Sequence, residues 1–243
     1  MAEVVVVGSL NMDLVVQAHR MPSAGETVRG TAFSTVPGGK GANQAAAVAL
    51  LGGQVAMIGC VGDDAFGERL LRSLGNFGVD LATVRTLEGI STGIAAILVD
   101  GRGESRIIVI PGANGLLNPD ELTSAEDRIA KASLVVLQLE VPMPTVETAI
   151  RLAVRHGVPV LLNPAPPSAL DEALLAQVNY LVLNETEAQV LTGIEPVDGD
   201  SCRGAAQSLC ARGVGVVILT LGERGAYVFS SEGGLHVQHV RSR

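Results

Sequence analysis

Tryptophan is absent from this sequence, and two tyrosines and four phenylalanines leave aromatic residues at 2% of the total. A surface that grips nucleic acid needs clustered Lys and Arg and usually stacking rings. Here 17 basic residues stand against 25 acidic ones, for a formal net charge of −8. No nucleic-acid partner is expected, and small-molecule work is expected instead. Cysteine is scarce too. Cys60, Cys202 and Cys210 are odd in number and show no paired metal spacing, which points to a reduced, cytoplasmic setting. The histidines, His19, His156, His236 and His239, share no zinc-like spacing with a cysteine or carboxylate cluster, and no metal role is assigned to them. Long apolar runs are missing as well, although the chain is 47% hydrophobic with a mean hydropathy of +0.38. Runs such as Leu134 to Leu139 or Val214 to Leu221 are strand-length, far short of the roughly 20 residues that cross a bilayer. No membrane association is expected, and no basic segment with an apolar core opens the chain as an export signal would.

What the sequence has is glycine, 29 of 243 residues. A chain of this length can bury one large core, and a single α/β domain with a small appendage is expected. The stretch Gly38-Gly39-Lys40-Gly41-Ala42-Asn43 leads into the small-residue run Gln44 to Leu51. It reads as a binding loop feeding a helix, because glycine tolerates positive φ and close ligand approach, and a helix start offers free N–H groups. It is not a Walker phosphate loop, since Gly41 rather than Ser or Thr follows Lys40. Nor is it a dinucleotide fingerprint, which would need Gly or Ala where Gln44 stands. By spacing alone, a tight turn that packs a helix onto a sheet explains it equally well.

The rest of the chain alternates strand and helix. Val4 to Val7, Val55 to Val61, Leu134 to Leu139, Val158 to Leu162, Tyr180 to Leu183 and Val214 to Thr220 read as strands. Helices are expected over Ala65 to Phe77 with Asp64 as cap, Pro119 to Lys131, Met143 to His156, Leu170 to Gln177, Glu185 to Leu191 and Cys202 to Arg212. This βαβ rhythm predicts a doubly wound, mostly parallel sheet. Two inserts interrupt it, at about 14–37 and 92–111. The first holds short β-leaning pieces (Leu14 to Val16, Thr27 to Arg29, Phe33 to Val36). The second reads as a hairpin, Ile94 to Val99 and Ile107 to Ile110 around Asp100-Gly101-Arg102-Gly103. Ile94 to Val99 is apolar on both faces, so something is expected to cover it.

Polar residues collect where strands end. Asn11 and Asp13 follow the first strand, and Glu140 ends the strand beginning at Leu134. Turn-forming residues and a solvated carboxylate account for them by residue type alone. Asn184-Glu185-Thr186-Glu187 opens a helix and is adequately explained as a capping box. Thr220-Leu221-Gly222-Glu223-Arg224-Gly225 fits a two-glycine turn into the β segment Ala226 to Phe229.

Taken together and in order, these motifs resemble the ribokinase family of carbohydrate kinases. The resemblance rests on Gly8-Ser9-Leu10-Asn11-Met12-Asp13, Pro22-Ser23-Ala24-Gly25-Glu26-Thr27, the Gly38 to Ala45 string and Gly62-Asp63-Asp64. It continues through Ser91-Thr92-Gly93, Pro111-Gly112-Ala113-Asn114, Gln138-Leu139-Glu140, Asn163-Pro164-Ala165-Pro166, Asn184 to Glu187 and Thr220 to Gly225. It implies a ribokinase-like α/β fold with a small β lid, ATP-dependent phosphorylation of D-ribose at the 5-hydroxyl, and a homodimer formed through the lids. Asn11, Met12, Asp13, Gly39, Lys40, Gly41, Ala42, Asn43 and Glu140 would hold the sugar. Asn184 and Thr220, Leu221, Gly222, Glu223, Arg224 and Gly225 would serve the nucleotide, and Glu187 the magnesium. GGKGAN favours ribose, with deoxyribose or another pentose as alternatives. The family's catalytic motif, Asp-Thr-x-Gly-Ala-Gly-Asp, does not occur in the 243 residues. The base is therefore expected beyond Arg243, with late helices and a monovalent-cation (K⁺) loop. On that expectation the 243 residues alone do not turn over ribose, and a sugar-binding protein without catalysis is the competing reading.

Overall fold

Buried β-branched runs and small-residue helices alternate along the chain as the sequence predicts. A computed structural model describes residues 3–238; His239 lies outside the described residues. In order, β1 (Glu3–Val7), β2 (Asn11–Ala18) and β3 (Gly30–Gly38) precede α1 (Lys40–Leu50), β4 (Gln54–Gly62), α2 (Ala65–Asn76) and β5 (Asp80–Leu87). Next come β6 (Gly93–Val99), β7 (Ser105–Ile110), a 3-10 turn over Gly112–Leu116, α3 (Pro119–Ser124), α4 (Glu126–Lys131) and β8 (Leu134–Gln138). They are followed by α5 (Met143–Arg155), β9 (Val160–Asn163), α6 (Glu172–Leu175), β10 (Tyr180–Asn184), α7 (Glu185–Thr192) and α8 (Gly199–Ala211). The described chain closes with β11 (Val216–Thr220), a 3-10 turn over Gly222–Arg224, β12 (Ala226–Ser230) and β13 (Gly233–Val237). Two units divide these elements, one built on 8–117 with 140–142, the other on 3–7, 118–139 and 143–238.

The first unit holds a four-stranded sheet in the order β3-β2-β6-β7, together with the parallel pair β4 and β5 and helices α1 and α2. Cross-strand register places Asn11, Asp13, Gly93, Ala95, Val109 and Val36 on one face of the four-stranded sheet. The alternation of side chains puts Met12, Leu14, Val16, Phe33, Ile94 and Ile108 on the other. This sheet is built from the two inserts that interrupt the strand and helix rhythm, but it begins at Asn11. Asn11 and Asp13 therefore belong to a strand and not to a loop. Thr27 to Arg29, expected as a β piece, forms no strand: pairing of β2 with β3 ends at Ala18 and Gly30, so those residues have no partner strand. β5 escapes the sequence reading because its polar residues mask a half-buried strand.

In the second unit the strand order is β13-β12-β11-β10-β9-β8-β1. β1, β8, β9, β10 and β11 run parallel, while β12 returns antiparallel to β11 and β13 antiparallel to β12. The core of this unit includes Val5, Val7, Val135, Leu137, Val160, Leu162, Leu181, Leu183, Val217 and Leu219, packed with Val146, Ile150 and Leu209 from the helices. The expected helix Pro119 to Lys131 is broken at Ala125. Thr123 and Ser124 turn their hydroxyls back onto the carbonyls of Pro119 and Asp120, a bond that bends helices.

The glycine-rich stretch also differs from its sequence reading. Lys40 to Asn43 are the first turn of α1 rather than a loop before it, since the N–H of Asn43 already bonds the Gly39 carbonyl at 2.9 Å. Close packing explains the glycines. A Cβ on Gly41 would stand 2.7 Å from the Ser9 nitrogen, and Gly39 combines φ +94° with a Cβ position 2.6 Å from the Asn11 nitrogen.

Candidate functional site

In the first unit the polar side chains converge on Glu140. Its Oε2 accepts hydrogen bonds from Ser9 Oγ at 2.5 Å, from the backbone N–H of Lys40 at 3.1 Å and, at the long limit, from Asn11 Nδ2 at 3.5 Å. Lys40 Nζ stands 4.0 Å from the other oxygen, Oε1. One carboxylate oxygen is thus filled by protein donors, and the other faces a mobile ammonium. The helix start contributes a second time, because its N-terminal N–H groups favour a carboxylate there.

Asp13 lies over the end of β3. A Cβ on Gly38 would come within 2.5 Å of Asp13 Oδ2, so only glycine leaves room for this carboxyl group. Burial, helped by the charge of Glu140, pushes the Asp13 pKa up from its ordinary value. A carboxyl group held at such a cost is typical of functional sites. Chemically they are acceptors, suited to ligand hydroxyls, with Asn11 and Lys40 as the matching donors.

The other residues expected to hold substrate divide. Met12 is fully buried on the opposite face of its strand and can reach a ligand only through its backbone. Gly41 and Ala42 are buried packing residues, with the Ala42 N–H on the Ser9 carbonyl at 2.9 Å. Asn43 is exposed on the first turn of α1. Two residues outside the expected set belong to the cluster. Ser9 is the closest donor to Glu140, and Asn114 bonds the Asn11 amide at 2.8 Å. Both stand inside quoted motifs, but serine after a strand or asparagine after Gly-Ala gives no signal by residue type.

In the second unit the capping box at α7 is real and does more than cap. Asn184 Oδ1 accepts from the Glu187 N–H at 2.8 Å, while Glu187 accepts from the Asn184 N–H at 2.9 Å and from Asn184 Nδ2 at 3.1 Å. Asn163, at the end of the neighbouring strand β9, donates to the same Glu187 carboxylate at 3.4 Å. Glu187 is only 6% exposed. Thr220 pairs with Asn184 across β10 and β11, and its hydroxyl bonds the Leu183 carbonyl at 3.2 Å. Beyond it Leu221 is buried, and Gly222 and Glu223 are exposed. Gly225 takes φ +89°. Arg224 anchors the turn, donating to Glu185 at 2.9 Å and to the carbonyls of Pro196, at 2.8 Å, and Val197. No group of three or more His, Cys, Asp or Glu that could hold a metal occurs among the described residues.

A family model of the pfkB family carbohydrate kinases matches residues 1–243. The chain belongs to that family. Among curated relatives, a ribokinase of Schizosaccharomyces pombe is 44% identical over 242 residues, covering 96% of this chain and 76% of the relative. A deoxyribokinase of Salmonella typhi is 40% identical over 241 residues, covering 98% and 78%. Among solved structures, an Arabidopsis thaliana ribokinase in complex with ribose and ATP superposes with a TM-score of 0.91 at 31% identity, covering 98% of this chain and 78% of that one. The chain is thus a sugar kinase of the ribokinase type, a phosphotransferase, and its mostly parallel α/β fold is the ribokinase-like one.

Proposed function

We propose that the chain binds D-ribose through Asn11, Asp13, Gly39, Lys40, Asn43 and Glu140, and ATP through Asn184 and Thr220 to Gly225, for phosphoryl transfer to the 5-hydroxyl of ribose. The single observation that carries the reading is the convergence of Ser9, Asn11 and the Lys40 N–H on one oxygen of Glu140, which leaves its partner oxygen and Asp13 as acceptors for sugar hydroxyls. Similarity to ribokinases, one of them in complex with ribose and ATP, supports the same assignment. Similarity to a deoxyribokinase makes 2-deoxyribose the competing sugar. A site that bonds a hydroxyl discriminates strongly against an analogue lacking it, so the two sugars separate in one titration series.

Magnesium fits the second unit only in part. Glu187 already accepts three hydrogen bonds, so it would hold a metal through water, as magnesium usually permits. When bound, the ion would neutralise charge on the nucleotide phosphates. Asn184 and Glu187 keep their own geometry through the capping box, independent of any ion.

Exposed apolar surface on the four-stranded sheet supports a homodimer: Phe33 and Ile108 are 66% and 64% exposed on the face opposite Asn11 and Asp13, and Ile107 and Val109 are 56% and 48% exposed on the other. A cytoplasmic location belongs to the same reading, since Cys60, Cys202 and Cys210 form no disulfide.

Calorimetric titration tests the reading. Ribose is expected to bind the 243-residue chain more tightly than 2-deoxyribose, and to lose at least tenfold in affinity when Glu140 is replaced by Gln. Absence of binding by either sugar would sink it. Since the 243 residues contain no Asp-Thr-x-Gly-Ala-Gly-Asp run, ribose-dependent release of ADP by them alone is not expected.

A further inference from the structure

Leu10 lies between β1 and β2, outside any strand, yet it is fully buried. Its backbone groups therefore need partners. Both come from one side chain: Asn114 Oδ1 accepts from the Leu10 N–H at 2.9 Å, and Asn114 Nδ2 donates to the Leu10 carbonyl at 3.0 Å. These two bonds fix which end of the Asn114 amide is oxygen and which is nitrogen. The second N–H of that nitrogen points to Asn11 Oδ1 at 2.8 Å. Asn11 Oδ1 is thereby committed as an acceptor, and Asn11 Nδ2 is turned towards Glu140 Oε2. The pair is packed as well as bonded. A Cβ on Gly93 would stand 2.2 Å from Asn114 Nδ2 and 2.3 Å from Asn11 Oδ1, so the two amides lie directly over bare backbone. Asn114 reaches this place on the tight turn that follows β7, where the Ala113 N–H bonds the Ser91 carbonyl at 2.9 Å and the Asn114 N–H bonds the Pro111 carbonyl at 3.1 Å.

We infer that Asn114 is a positioning residue for the sugar site: by fixing the orientation of the Asn11 amide, it makes Asn11 a donor towards the ligand. This rests on the reading of Asn11 and Glu140 as sugar-binding groups. Its consequence is a defined polarity. The site meets a sugar with acceptors from Asp13 and Glu140 and with a donor from Asn11, and an isolated asparagine could present either end. A ligand atom at Asn11 must then carry a lone pair, as a hydroxyl or ring oxygen does and an ammonium group does not.

The test uses the full chain with isotope-labelled asparagine, observed by NMR. In the unaltered protein the Asn114 side-chain N–H protons should exchange with solvent far more slowly than those of exposed Asn43, and added ribose should shift the Asn11 side-chain N–H signals. Asn114→Asp keeps an acceptor for the Leu10 N–H but loses both donations, so the Asn11 amide should reverse. In that variant ribose affinity should fall about tenfold, with the Asn11 N–H signals moved to new positions that ribose no longer perturbs. Wild-type ribose affinity in the variant, or an unmoved Asn11 amide, overturns the inference. Should the variant not fold, the unaltered chain still decides, because Asn114 protons exchanging as fast as those of Asn43 would overturn it too. If ribose perturbs nothing in the unaltered chain while the Asn114 protons remain protected, the sugar-site reading fails and the amide relay does not.

Discussion

Asp13 sits in conflict with itself. Burial, and next the Glu140 charge, raise its pKa, so the folded protein holds this proton more firmly than the unfolded chain does. The stabilising contribution of such a group is complete below the unfolded pKa and is lost as pH rises through the folded one. Ionised Asp13 therefore burdens the fold at neutral pH, while the same ionised form is the better acceptor for a sugar hydroxyl. Lowering the pH through that raised pKa should weaken ribose binding even as this residue's burden on stability is lifted. Calorimetry and thermal melts recorded over the same pH series should show those opposite trends, and Asp13→Asn should remove the pH dependence attributable to this group. Parallel trends would contradict the assignment. Residues at this scale were unevenly legible. Asn11 and Asp13, at the start of β2, and Glu140, just after β8, could be placed from the motif order. Ser9 and Asn114 could not, because their importance lies in hydrogen bonds to partners more than a hundred positions away.

Among the elements, α2 shows how a helix start can organise what surrounds it. Asp64 accepts from the Phe66 and Gly67 N–H groups, as a cap should, but also from the Thr92 N–H at 2.8 Å and the Thr92 hydroxyl at 2.7 Å. It thus ties the helix to the residue just before β6. Farther along the same helix, Arg69 donates to the hydroxyl and the carbonyl of Thr35 in β3. Burial alone would raise the Asp64 pKa, yet the hydrogen bonds from Thr92, Gly67 and Phe66 together outweigh it and leave the carboxyl below its ordinary value. That contribution is present above the unfolded pKa and is lost as pH falls through the folded one. Asp64→Ala should cost about 1–2 kcal/mol in urea unfolding, a difference that narrows in acid; an unchanged unfolding midpoint would show that Thr92 finds other partners. The cap was readable from Asp64 before an amphipathic run. The bond to Thr92 was not, since nothing in a Ser-Thr-Gly string says which helix it meets. The first turn of α1 was misplaced for a related reason: glycines argue for a loop by propensity, and here packing against Gly8 and Ser9 overrides propensity.

For the whole molecule, the strand and helix rhythm carried the α/β class, because buried parallel strands read as short apolar runs whatever their neighbours. Pairing order was beyond it: that β2 runs parallel to β6 but antiparallel to β3 depends on contacts between distant segments. Strand Ile94 to Val99 is paired on both edges, by β2 and β7, but its sheet keeps Phe33 and Ile108 in solvent on one face and Ile107 and Val109 on the other. Exposed β-sheet surface of this kind is unusual in a monomer. Sedimentation of the purified chain should report a dimer, and Ile108→Asp should shift it to monomer without altering the ribose titration of the opposite face. A monomeric unaltered chain would contradict the lid-to-lid pairing.

Phe33 has one more use. With no tryptophan in the chain, the protein is dark to selective indole excitation, and Phe33→Trp would give it a single chromophore on the outward face of the lid. Its emission would be red-shifted while water surrounds the ring and would move to the blue when a second lid covers it. Lid pairing could then be followed optically, against a background free of any other indole.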